Sequence, residues 1–139
     1  MLQDPLVRSL KPMVLLAEDD PDQSEMLSEI LQREGYVVDT AYSGDAALHK
    51  LLNNPYDLIV LDIRMPGMDG GTVLRQFRKH ETSGHVPVIV VSAFATEADV
   101  ARYKTYGADA SFSKPYEIDE LLAAVAALVP SAKEHGRTP

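Results

Sequence analysis

Polar and apolar positions along this chain follow two rhythms in turn, and the alternation repeats five times. Met13-Val14-Leu15-Leu16-Ala17 is an unbroken apolar run that stops at Glu18-Asp19-Asp20, the form of a strand buried on both faces. Asp20 or a neighbour can cap a helix and Pro21 suits its first turn. Leu27, Ile30 and Leu31 then fall at helical spacing until Gly35 closes the segment. The second unit reads as a strand from Tyr36 to Thr40, with Ser43 ahead of a helix carrying Ala47, Leu48, Leu51 and Leu52. The third is a strand from Asp57 to Asp62, bounded by Pro55 and by Pro66-Gly67. Asp69 then opens a helix with Val73, Leu74 and Phe77 on one side. Val86 to Val91 is the fourth strand, and Thr96 begins a helix with Val100 and Tyr103 facing inward. Ala108 to Phe112 is a weak fifth strand, and Glu117 to Val129 is a periodic helix with a stripe of Ile118, Leu121, Leu122, Val125, Leu128 and Val129.

Five strand-then-helix units call for a parallel sheet covered on both faces, a doubly wound α/β architecture with a ligand crevice at the carboxyl ends of the strands. Residues 12–129 form this unit. Residues 1–11 show no clear period and read as an N-terminal arm, and residues 130–139 as a polar C-terminal tail. At 139 residues the chain is long enough to bury a core without staples.

Composition narrows the function. With no cysteine, neither a disulfide framework nor a thiolate metal site is open, which fits the cytoplasm. Thirteen Lys+Arg against twenty-one Asp+Glu give a net charge of -8, which argues against binding nucleic acid. No apolar stretch approaches the about 20 residues that cross a bilayer.

The acidic residues are placed rather than scattered. Glu18, Asp19 and Asp20 follow the first strand and Asp62 ends the third, so a parallel sheet brings them to one edge. Converging carboxylates repel, and a hard, oxygen-seeking cation such as Mg2+ resolves the repulsion. Ser92 follows the fourth strand and Lys114 the fifth, adding a hydroxyl and an ammonium at the same edge. A carboxylate nucleophile, a divalent cation, a lysine and a hydroxyl are the parts of a phosphoryl-transfer site. Taken singly, each has a duller role as a helix cap, a turn-former or a loop residue. The four histidines, His49, His80, His85 and His135, read as surface residues. Met65 and Met68 read as packing, and Arg75, Arg78, Lys79 and His80 as cations suited to a helix C-terminus.

Leu15 to Pro21, Asp57 to Gly70, Val90-Val91-Ser92-Ala93, and Gly107-Ala108-Asp109 through Lys114-Pro115 together resemble the receiver domain of two-component response regulators, from roughly Lys11 to Val129. The resemblance implies a flavodoxin-like, three-layer fold with a five-stranded sheet in the order 2-1-3-4-5. It implies Asp62 as phosphoryl acceptor from a histidine kinase or histidine phosphotransfer protein. It also implies Glu18, Asp19, Asp62 and the backbone carbonyl of Arg64 as the Mg2+ shell, with Ser92 and Lys114 on the phosphoryl oxygens. Asp20 is then a cap. Any enzymatic activity is confined to self-catalysed phosphotransfer and slow autodephosphorylation, and output passes to a protein target or a second copy through the helices at 96–106 and 117–129. The polar tail favours a stand-alone regulator; the alternatives are a receiver excised from a larger hybrid kinase or regulator, and a binding-only pseudo-receiver. One position departs: receivers usually carry Tyr or Phe three residues before the lysine, and here that residue is Ser111, with Phe112 one step later and turned to the opposite face. The signal is therefore expected to pass through the Ala93-Phe94 loop, with Phe94 or Tyr103 moving.

Overall fold

The computed structural model describes residues 11–82, 84–93 and 95–131. Five strands alternate with five helices: β1 Met13–Ala17, α1 Pro21–Arg33, β2 Val37–Ala41, α2 Gly44–Asn53, β3 Leu58–Asp62, α3 Gly70–His80, β4 Val88–Ala93, α4 Glu97–Thr105, β5 Ala110–Lys114 and α5 Ile118–Leu128. All pairings are parallel, in the order β2-β1-β3-β4-β5. This is the doubly wound sheet the alternation predicts, in the flavodoxin-like order that the resemblance to receiver domains implies.

The three central strands bury nearly every residue, whereas the edges β2 and β5 are half-exposed. Alternation within the central strands feeds two cores. Leu15, Ala17, Ile59, Leu61, Val88 and Val90 face one side, where Val73, Leu74, Phe77 and Tyr103 cover them. Val14, Leu16, Leu58, Val60, Ile89 and Val91 face the other, under Leu27, Leu31, Leu121 and Val125. Met65 is buried and Met68 packs beside it, both as fillers.

Helix starts follow the sequence signals. Asp20, Ser43, Asp69 and Thr96 each cap with their own side chains, and Thr96 adds a reciprocal bond with Asp99. These four starts lie at the carboxyl edge of the sheet and direct helix N-termini towards it. Gly35 ends α1 at φ 100°, a conformation natural to glycine.

Several expectations are corrected. Val100 is 43% exposed, and among the described residues of α4 Tyr103 alone is buried; that short helix meets the sheet through its second half. The fifth strand runs to Lys114 rather than ending at Phe112, because ladder bonds to β4 continue through Ser92↔Ser113 and Ala93↔Lys114. The fourth likewise starts at Val88, not Val86. Phe94 and His135 lie outside the described residues, as do most of the expected arm and tail. Ser131, within the segment read as tail, is buried. No described helix is long and apolar enough to cross a membrane.

Arg78 does more than face a helix dipole. Its guanidinium holds Glu81 through two bonds of 3.0 and 3.1 Å, the carbonyls of Val86 (2.7 Å) and Gly107 (2.8 Å), and Asp109 (3.2 Å). Asp109 in turn accepts the Val88 amide at 2.8 Å and meets the exposed His85 ring. Arg78 thus ties the end of α3 to the loops entering β4 and β5, away from the carboxyl edge. Its removal takes the cationic partner from two partly buried acids, which keep the Val86 and Val88 amides, and a donor from two carbonyls. Arg78→Ala is expected to lower stability by about 2–4 kcal/mol, and Arg75→Ala, which gives up a stacking contact with Tyr106, by less than about 1 kcal/mol. Urea denaturation measures both, and equal losses would reduce Arg78 to a dipole partner.

Candidate functional site

Strand register assembles the acidic pocket. Ala17 pairs with Leu61, so Glu18 comes off β1 level with Asp62 at the end of β3. Asp62 pairs with Val91, which sets Ser92 one step beyond it, and Ala93 pairs with Lys114. One carboxylate oxygen from each of Glu18, Asp19 and Asp62 lies within 4.8 Å of the others. Asp62 is 5% exposed and Glu18 7%, while Asp19 reaches solvent.

Lys114 answers these charges. Its Nζ donates to Asp62 Oδ2 at 2.8 Å and to Glu18 Oε1 at 2.7 Å. The other oxygens are held by backbone: Arg64 N donates to Asp62 Oδ1 at 3.0 Å and Asp20 N to Glu18 Oε2 at 3.1 Å. Burial works to lower the lysine, but the bonds to Asp62 and Glu18 outweigh it and hold Lys114 above its ordinary value. Asp19 has no such partner. Its carboxyl is pushed up, first by partial burial and then by the Glu18 carboxylate beside it.

The loop after β3 is fitted closely. A Cβ on Gly70 would come within 2.3 Å of the Asp62 carbonyl oxygen, and the Gly70 amide bonds Ile63 O at 2.8 Å, so α3 starts directly behind Asp62. Gly44, at the start of α2, meets the same loop; its Cβ would fall 1.6 Å from the Met68 carbonyl oxygen. Between β1 and this loop an open cleft is lined by Asp19, Arg64, Met65 and Asp69.

Glu18, Asp19, Asp62 and Lys114 therefore meet as the sequence predicts, and Arg64 lies across the cleft from Asp19. Asp20 is a cap: its side chain accepts the Asp22 amide at 3.0 Å. Ser92 is buried at the expected edge, and its hydroxyl donates to the adjacent Ala93 carbonyl at 3.4 Å. Two residues were missed. Gln23 accepts from Lys114 at 3.1 Å and donates to Asp20 Oδ2 at 2.9 Å; the Asp20-x-x-Gln23 capping spacing is the signal that could have found it. Tyr116 shares a small enclosed space with Glu18, Asp62 and Lys114, and no spacing rule points to it.

A parallel five-stranded sheet in this order, with acids and a lysine gathered at its carboxyl edge, is the arrangement implied by the resemblance to receiver domains. The response regulator receiver domain family matches residues 14–126, and the chain belongs to it. It is 36% identical to the response regulator ArlR of Staphylococcus saprophyticus over 116 residues, 84% of this chain and 51% of that protein. The chain thus spans about half the length of the curated relatives it matches. The receiver domain of the Francisella response regulator 1452 superposes with a TM-score of 0.80 at 33% identity, over 85% of this chain and 96% of the other. TrrA of Thermotoga maritima, in complex with Mg(2+)-BeF, gives 0.75 at 35% identity, over 85% and 99%.

The upward shift of Asp19 carries a sign. A carboxyl raised in the folded state lends full stability below its ordinary value of 3.8, and that stability is lost as pH rises through the folded value. At neutral pH without added metal, Asp19→Asn is expected to raise the urea midpoint, the gain shrinking as pH falls towards 3.8. A lowered midpoint at neutral pH would show that the charge is stabilising instead.

Proposed function

We propose that this receiver domain accepts a phosphoryl group on Asp62 from a histidine kinase or histidine phosphotransfer protein, and signals the change by protein contact. The observation that carries the reading is the buried Asp62 carboxylate, bonded to Lys114 at 2.8 Å and gathered with Glu18 and Asp19 within 4.8 Å.

In the transfer an Asp62 oxygen attacks phosphorus, the bond to the donor imidazole nitrogen breaks, and the imidazole leaves with the electron pair. Asp62 Oδ1 stays oriented by the Arg64 amide. Lys114 exchanges its bond to Oδ2 for the incoming phosphoryl oxygens, and Ser92 turns its hydroxyl to another of them. Little further covalent work is needed, because positioning and charge neutralisation dominate such transfers. The donor set fits Mg2+: hard oxygens from three acids, one of them open to solvent. Glu18, Asp19 and Asp62 would hold the ion with the Arg64 carbonyl, and the ion supplies charge neutralisation on the phosphoryl oxygens. Hydrolysis of the acyl phosphate ends the signal slowly, the one enzymatic turnover assigned to the chain.

The output surface assigned here comprises the helical segments 96–106 and 117–129, where Val100, Ala123 and Ala127 are exposed, serving a protein target or a second copy. An acidic chain with a net charge of -8 is not suited to nucleic acid, and the cytoplasm, where histidine kinases present their phosphoryl groups, is the assigned location. The pseudo-receiver alternative finds no support, since the acids and the lysine are all in place.

Incubation with MgCl2 and carbamoyl phosphate, read by intact mass, tests the reading. One phosphoryl adduct is expected on the native chain and none on Asp62→Asn or in excess EDTA. An adduct on Asp62→Asn, or efficient labelling in EDTA, would sink it.

A further inference from the structure

Ser111 leaves the usual ring position without an aromatic, yet the acidic pocket does touch a ring. The small space shared by Glu18, Asp62 and Lys114 is also lined by aliphatic side chains, among them Leu16 and Val91, and, among the described residues, by one aromatic, Tyr116. Tyr116 is half-buried, and its ring meets Phe112 edge to face, with centroids 6.3 Å apart and planes at 61°. Phe112 lies in β5 opposite Val91 of β4, one residue before Ser92. Both rings pack against the core under α1 and α5, together with Ile118 and Leu122 of α5.

This places one aromatic pair in touch with two things at once. On its polar side Tyr116 lines the same space as Glu18, Asp62 and Lys114, the groups whose charges change when a phosphoryl group arrives. On its apolar side the pair is continuous with the first turns of α5, which begins two residues after Tyr116. Lys114 is also two residues from Tyr116, so any exchange of its bonds to Asp62 and Glu18 alters the wall that the ring completes. Tyr103, the buried ring of α4, belongs to the core on the other face and shares none of these contacts.

We propose that Tyr116, packed edge to face against Phe112, is the positioning residue that couples the state of the Asp62 pocket to α5, on the α1/α5 face of the sheet. The coupling is carried by the ring and its packing, not by the hydroxyl, because the contact with Phe112 is edge to face. The proposal rests on Asp62 as the phosphoryl acceptor, and its test separates the two.

The whole chain, 15N-labelled, is treated with MgCl2 and carbamoyl phosphate, and the extent of adduct is read by intact mass. Amide shift changes in α5 are compared at equal adduct. Tyr116→Ala is expected to reduce them about twofold or more, and Tyr116→Phe to restore them. Phe112→Leu breaks the same pair from its other side and is expected to repeat the loss, which keeps the test open if Tyr116→Ala does not fold. Wild-type α5 shifts in an adducted Tyr116→Ala or Phe112→Leu, or failure of Tyr116→Phe to restore them, overturn the coupling alone. A native chain that takes no adduct overturns the acceptor reading and the coupling with it.

Discussion

Three carboxylates share a few ångströms at the carboxyl edge of the sheet, and one ammonium group answers them. Like charges about 4 Å apart repel by about 4 kcal/mol when partly screened, and Glu18 and Asp62 are too buried for water to dissipate much of that. Lys114 offsets the pair by bridging both. The Asp19 carboxyl stays raised, first by desolvation and then by the Glu18 carboxylate, and the charge of Lys114 lowers it only in part. The site thus gathers three acids against the one ammonium that bridges two of them, a donor set of hard oxygens.

The frame makes that concentration of charge tolerable by keeping other demands away from it. Four capped helix starts direct their amides towards the carboxyl edge, a partial positive charge the acids can use. Other polar ties hold different parts of the fold. Arg78 gathers the loops that enter β4 and β5. Asp39 joins the Tyr56 hydroxyl at 2.6 Å and Lys50 at 2.8 Å, fixing α2 to the edge strand. Chemistry and fastening occupy separate regions, so bonds at the acidic pocket can be exchanged while these ties remain made.

The chain shows in its sequence what depends on local pattern, and hides what depends on who meets whom. Apolar runs and helical stripes were enough for the sheet and both cores, and Asp20, Ser43, Asp69 and Thr96 marked the helix starts because a cap bonds within its own first turn. Strand ends in the fourth and fifth units were misplaced, since the ladder decides where a strand stops and its partner is remote in sequence. Val100 matched a stripe that α4 does not bury, for a periodic pattern says which residues share a face, not how much of that face reaches the sheet. Arg78 looked like a helix-end cation because its partners are loop carbonyls, invisible to spacing rules. Glu18, Asp62 and Lys114 were legible only because parallel strands must end on one edge.

Transmission follows from the same geometry. In β5, Ala110 and Phe112 join the core under α1 and α5, which leaves Ser111 on the other face. Ser111 itself brings no ring to the α4 side, where Tyr103 and Tyr106 pack into the other core. The pleat therefore sets where an aromatic can act: one step along β5 moves a ring from one core to the other. With the ring at Phe112 and its neighbour at Tyr116, the bulky contacts nearest the acidic pocket belong to the side that α5 covers. Among the described residues the Phe112 and Tyr116 rings therefore pack on the α1/α5 side of the sheet.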